Sequence, residues 1–152
     1  MLLTELLSAE RVRVPLAARD KEALLGELLE VALPGRERAV HDEVLEALRA
    51  REAVLSTGIG EGLGIPHART AVVDRLILAA GVAAHPIDFD SLDGRPADLF
   101  FMLLGPESAA GAHVRALGRI SRLLRRESLR QALREAPDAD AFMRVVAESE
   151  AG

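Results

Sequence analysis

The stretch "REAVLSTGIGEGLGIPHART", Arg51 to Thr70, sets glycine at every second position from Gly58 to Gly64 and then presents Pro66 and His67. Such glycines serve either a loop that cradles a nucleotide phosphate or a turn or bulged strand that needs an unusual backbone. The first reading fails on spacing. A dinucleotide loop requires G-x-G-x-x-G opening a helix, but Leu63 stands where the third glycine belongs and strand-like residues follow. The chain also lacks the Gly-Lys pair followed by Ser or Thr that nucleotide hydrolases use. What remains is a turn that feeds a strand. Pro66 biases Ile65 toward extended geometry and removes a ladder donor, which suits a strand end or edge. His67 then sits where a buried strand leaves its sheet, a common place for chemistry in open α/β folds. A lone histidine in that position is still more often structural than chemical, and spacing alone leaves both readings open.

Outward from this stretch the chain changes period twice. Arg11 to Val14 alternates polar and apolar and stops at Pro15, as a short strand does. Helical spacing follows over Arg19–Leu33, ended by Pro34-Gly35, and again over Arg38–Glu52. Gly62–Ala68, Arg75–Ala84 and Ala97–Gly105 are short apolar runs divided by turn clusters such as Ser91–Gly94, the pattern of strands buried on both faces. Helical patterns return over Ser108–Arg125, Glu127–Ala136 and Ala139–Glu148, with Pro137 between the last two. Helices before and after a central set of strands predict a single α/β domain over residues 1–152, with helices covering both faces of the sheet.

The bulk properties exclude several classes of function. A chain of 152 residues with 49% hydrophobic and 28% charged residues is globular rather than disordered. A net charge of -5 and only 3% aromatic residues oppose a nucleic-acid binder, which carries a basic face and stacking rings. Without cysteine there is no disulfide, thiolate catalysis or cysteine-based zinc site. The start "MLLTELLSAERVRV" shows no signal peptide, and no run approaches the ~20 apolar residues of a membrane span, so a cytoplasmic location is expected. The four histidines show no metal-ligand spacing, and no metal or cofactor is expected. His41 and His85 are expected at the surface, the latter in a loop. Lys21 is the only lysine, a bias in composition from which no function is read.

The Arg51–Thr70 stretch resembles the active-site segment of the type-2 enzyme IIA domains of the bacterial phosphoenolpyruvate:sugar phosphotransferase system, the fructose/mannitol group that includes the nitrogen-regulatory enzyme IIA. Glu52, Ile59, Gly60, Leu63, Ile65, Pro66, His67 and Ala68 fit the family pattern. Gly64 stands in place of its usual alanine, a departure expected only to loosen local packing. "HPIDFDSLDGRPADLFFMLLGPES" (85–108) resembles the family's next strand, turn and strand, and "AHVRALGRISRLLR" (112–125) its next helix, which begins with a second functional histidine, His113. The resemblance covers nearly the whole chain. It implies a mixed, mostly parallel sheet flanked by helices. It also implies that His67 accepts a phosphoryl group from the phosphohistidine of HPr or its nitrogen-pathway relative. The group then passes to an enzyme IIB domain, or the phosphorylation state sets which transporter, kinase or transcription factor is bound. The lack of an attached IIB or membrane segment favours the regulatory branch.

Neutral imidazole is nucleophilic near pH 7 and its phosphorus–nitrogen bond transfers readily. Arginine offers a fixed fork of donors to the transferring oxygens. The resemblance makes Arg51 that arginine; by itself it reads as a solvated residue at a helix end. His113 shares a helical stripe with Leu117, Ile120 and Leu124 and should point inward, either as a core histidine or as a partner of His67 and its phosphoryl group. Arg69 shares the face of His67 in an extended strand and is a candidate second phosphate contact.

Overall fold

Two long apolar runs make the centre of the sheet. In the computed structural model, which describes residues 1–151, Ile77–Ile87 (β5) and Ala97–Gly105 (β6) pair antiparallel from Ile77↔Leu104 to Ile87↔Ala97. Their side chains are buried on both faces over most of this length, as continuous apolar runs require. Val12–Leu16 (β1) adds parallel to β5 as one edge. The strand runs through Pro15 instead of stopping there, because an edge strand can leave one side of its ladder without a donor.

On the other side of β6 lie three short pieces: Gly58–Gly60 (β2), Leu63–Gly64 (β3) and His67–Arg69 (β4). β3 and β4 both run parallel to β6, and β2 folds back antiparallel on β3. The expected single strand over Gly62–Ala68 is therefore split in two by Ile65 and Pro66. Pro66 keeps its place in the ladder through its carbonyl, which accepts from the Leu103 amide at 3.0 Å. Three of the five strand pairings are parallel, while the longest, β5 with β6, is antiparallel.

The glycines of the opening stretch divide into two uses. Gly60 and Gly62 take φ of +103° and +76° around Glu61, so the β2–β3 turn needs a left-handed backbone at successive positions. Gly64 has a different role. A methyl group there would meet the Phe100 ring at 2.9 Å and the Phe89 ring at 3.3 Å. Contrary to expectation, the glycine does not loosen the packing but admits the Phe89–Phe100 pair, whose centroids are 5.1 Å apart.

Helices cover both faces. Lys21–Ala32 (α1) and Arg38–Val54 (α2) bury Leu24, Leu28, Val44 and Leu48 against one face, with Phe89, Phe100 and Met102. Asp20 caps α1 by accepting from the Ala23 amide at 2.8 Å. Ala110–Leu123 (α3), Glu127–Glu135 (α4) and Ala139–Ala151 (α5) bury Ala116, Ile120, Leu133 and Phe142 against the other face, with Leu99, Phe101 and Leu103. His85 is exposed as expected but lies within β5, not in a loop. His41 is only half-exposed, since its ring leans toward Glu30 of α1, with Nε2 3.4 Å from the carboxylate.

Candidate functional site

β4 and β6 run in the same direction, so both deliver their C-terminal ends to one edge of the sheet, where Arg69 pairs with Gly105. Chain leaving β6 turns through Pro106–Ala109 into α3, which places His113 one turn into the helix beside the end of β4. α2 ends on the opposite side with Arg51 in its last turn. Three separate elements thus converge on a cavity of about 250 Å³ lined by Arg51, His67, Arg69 and His113, with Val114 and Leu117 beside them. All four residues singled out in the sequence meet there.

The two rings lie close, with centroids 5.8 Å apart and planes tilted by 59°, but they are held differently. His67 Nδ1 lies 2.8 Å from the Ile65 carbonyl oxygen. A carbonyl can only accept, so Nδ1 carries the proton and Nε2 keeps its lone pair. Pro66 disfavours helical geometry at Ile65, the residue before it, and His67 begins β4 directly after it. Burial lowers the His67 pKa, Arg51 and Arg69 add to the lowering, and the Ile65 bond and Glu52 oppose it. The net direction keeps the ring neutral near pH 7. His113 is 3% exposed, and its Nδ1 is buried without a hydrogen-bond partner among the described residues. Burial, reinforced by His67 and Arg69, lowers its pKa to about 4. The His113 ring lines the cavity, while its Nδ1 lies against Gly105, where an added methyl group would meet it at 3.1 Å.

The arginines differ in the same way. Arg51 is half-buried and its Nη1 donates to the Leu55 carbonyl at 2.7 Å, so it caps its own helix as it faces the cavity. Most of its fork of donors stays available. Arg69 is exposed and ion-paired with Glu107 at 3.1 Å, a surface pair that an incoming anion can displace at little cost.

Glu52 was legible as part of the family pattern, but its setting was not. Its side chain is 6% exposed and lies 2.8 Å from Lys21 Nζ. It also accepts from the Thr57 amide at 3.2 Å and from the Thr57 hydroxyl. Lys21 in turn donates to the Phe89 carbonyl at 3.3 Å and lies 4.7 Å from the Phe89 ring centroid. The one lysine, set aside above as compositional, ties α1 to the end of α2 beside Arg51. No local signal in the sequence marks this pairing.

The sequence profile of the family described as "Phosphoenolpyruvate-dependent sugar phosphotransferase system, EIIA 2" matches residues 5–149. The chain belongs to this enzyme IIA family. A nitrogen regulatory protein of Bradyrhizobium diazoefficiens is 38% identical over 150 residues, covering 97% of this chain and 95% of that protein. One from Pseudomonas aeruginosa is 37% identical over 152 residues, covering 99% and 97%. The fructose-specific EIIABC component of Bacillus subtilis is 38% identical over 146 residues, which span 96% of this chain but 23% of that longer protein. The crystal structure of nitrogen regulatory protein IIA-Ntr from Neisseria meningitidis superposes with a TM-score of 0.84 at 32% identity, covering 95% of this chain and 98% of that one. The IIA of the Escherichia coli mannitol system shares the fold with a TM-score of 0.76 at 19% identity, covering 92% and 98%. Membership in the enzyme IIA family gives this chain a phosphocarrier or regulatory role in a phosphotransferase system. Among the described residues no helix is long and apolar enough to cross a membrane.

Proposed function

We propose that His67 accepts a phosphoryl group on Nε2 from the phosphohistidine of an HPr-like carrier protein. The supporting observation is the Nδ1–Ile65 bond, which fixes the tautomer and leaves a neutral, nucleophilic nitrogen in a cavity that two arginines line. The Nε2 lone pair attacks phosphorus while the carrier's phosphorus–nitrogen bond breaks, and the electron pair stays on the departing imidazole. No proton need leave His67, because Nδ1–H was already in place. Arg51 and Arg69 balance charge on the transferring oxygens. The His113 ring, which lines the cavity with its centroid 5.8 Å from that of His67, offers a polar contact to the same group or to His67.

From His67 the group passes to an enzyme IIB-type domain, or its presence alters the binding of a transporter, kinase or other regulated protein. A solved complex in this fold family pairs an enzyme IIA with phosphorylated enzyme IIB of the mannitol system of Escherichia coli, which fits the first outcome. The near full-length match to nitrogen regulatory proteins fits the second. Incubation with phosphoenolpyruvate, enzyme I and HPr should yield an acid-labile adduct of one phosphoryl group, and His67→Ala should yield none. An unmodified wild type, or a modified His67→Ala, would sink the proposal. A pull-down with phosphorylated and unphosphorylated protein then separates transfer from regulation.

A further inference from the structure

We propose that a second cavity, at the same end of the sheet as His67 but on the far side of β5, is a binding site for a small polyanion carrying adjacent phosphate or carboxylate groups. It has a volume of about 350 Å³, and Arg11, Arg36 and Arg75 line it, with one aspartate, Asp74, and an apolar wall that includes Pro34 and Val72. The topology explains the convergence. Arg11 precedes β1, which runs parallel to β5; Arg75 precedes β5; and Arg36 follows α1, which returns to this end after β1.

Several arginines make no ion pair among the described residues; what sets these three apart is that they line one cavity together. The ion pairs of the described residues engage Arg13, Arg38, Arg49, Arg69, Arg119, Arg130 and Arg134, but not these three. The obvious structural use would be to donate to the carbonyls at the C-terminus of α1, where cations are favoured. Among the described residues no such bond is made by Arg11, Arg36 or Arg75, although Ala32 and Leu33 line the same cavity. Three guanidiniums gathered around one hollow repel one another, and one aspartate offsets only part of that repulsion. An anion with two or more charged groups removes the repulsion and can be held by paired donors from several sides. A single carboxylate or phosphate would leave part of the set unmatched. The apolar wall leaves room for a carbon skeleton between the charged ends.

The test titrates the whole protein with inorganic pyrophosphate and, separately, with citrate, following backbone amide shifts by NMR and heat by calorimetry. Saturable movement of the Val72, Val73 and Ile77 amides is expected with at least one probe. Whether the phosphate or the carboxylate probe binds tells which source the site prefers. Arg11→Gln, Arg36→Gln and Arg75→Gln should each weaken binding about tenfold, the loss of one charge-assisted contact. Arg36 and Arg75 are exposed, so their variants keep the fold and the test stands even if Arg11→Gln does not fold. The proposal is overturned if neither probe saturates at millimolar concentration. It is equally overturned if only Ala68 and Val114, beside His67, respond, or if the three variants bind like the wild type.

Discussion

α3 presents a polar side chain to a buried setting at two places along its length, His113 itself and Arg119 against the buried Glu150 carboxylate, and the two are treated in opposite ways. At its start His113 lines a cavity, and its buried Nδ1 has no hydrogen-bond partner among the described residues. Further along, Arg119 donates to Glu150 of α5 at 2.9 Å through Nη2 and 3.2 Å through Nε. Glu150 also accepts from the Leu3 amide at 2.7 Å and the Thr4 amide at 3.1 Å, so the N-terminal segment, α3 and α5 are tied at one carboxylate. A satisfied cluster fastens the fold, while an unsatisfied one costs stability and leaves bonding capacity for something else.

The strongest attempt to break this contrast is Glu150→Ala. It strands two amides and a guanidinium and should cost about 3 kcal/mol in urea unfolding. A loss under about 1 kcal/mol would show that the cluster is decorative.

Acid should then separate the two places. Both histidines have lowered pKa values in the fold, so the unfolded chain binds more protons between about pH 4 and 6.5, where His113 contributes most. Stability therefore falls as pH drops through that window, by up to about 1.4 kcal/mol per unit for His113 alone. Burial raises the Glu150 carboxyl, but the Leu3 and Thr4 amides and Arg119 outweigh it and hold its pKa below the usual value of 4.5. Its contribution is present above that value and is lost only as pH falls through the lower folded pKa. His113→Leu should flatten the upper limb and leave the lower one. A slope between pH 6.5 and 4 that survives in this variant would reassign it to His67 or to another group.

Lys21→Met tests a third cluster that resembles the Glu150 one in its bonding but lies next to the site. It leaves Glu52 buried against Thr57 with no cation, and should cost about 2 kcal/mol while slowing phosphoryl acceptance on His67. Unchanged acceptance would confine Lys21 to stability. The smallest effect belongs to the unsatisfied place itself. At neutral pH, His113→Leu should change stability by less than about 1 kcal/mol, because no protein hydrogen bond is lost. The same variant should slow transfer from phosphorylated protein, measured by decay of the adduct with an enzyme IIB partner.

Much of this was legible in the residues. Helix and strand runs show in the period of Leu, Val and Ile, and the family pattern gathers Arg51, His67 and His113 from three elements. What the sequence hides is non-local. The split of Gly62–Ala68 depends on which part of β6 each piece pairs with, and the tolerance of Pro15 depends on β1 being an edge. His41 is half-buried because α1 happens to present Glu30 to it. The pairing of Lys21 with Glu52 joins residues 31 positions apart, and no local period records such a contact.

The close approach at Gly64 extends further than the strand that contains it. Phe100 fills the space of the missing methyl, Phe89 packs at a tilt against Phe100, and the carbonyl of Phe89 receives both Lys21 and the Ser56 hydroxyl, the latter at 2.7 Å. Ser56 Oγ in turn accepts from the Gly58 amide at 3.0 Å, which closes a ring of contacts back to the strand pair that includes Gly64. Side-chain volume at residue 64 is thereby coupled to residue 100 and to the segment that leads away from Arg51. An alanine at 64 is compatible with this architecture only alongside a smaller residue at 100, so the two positions are expected to drift together, not singly, as such sequences diverge.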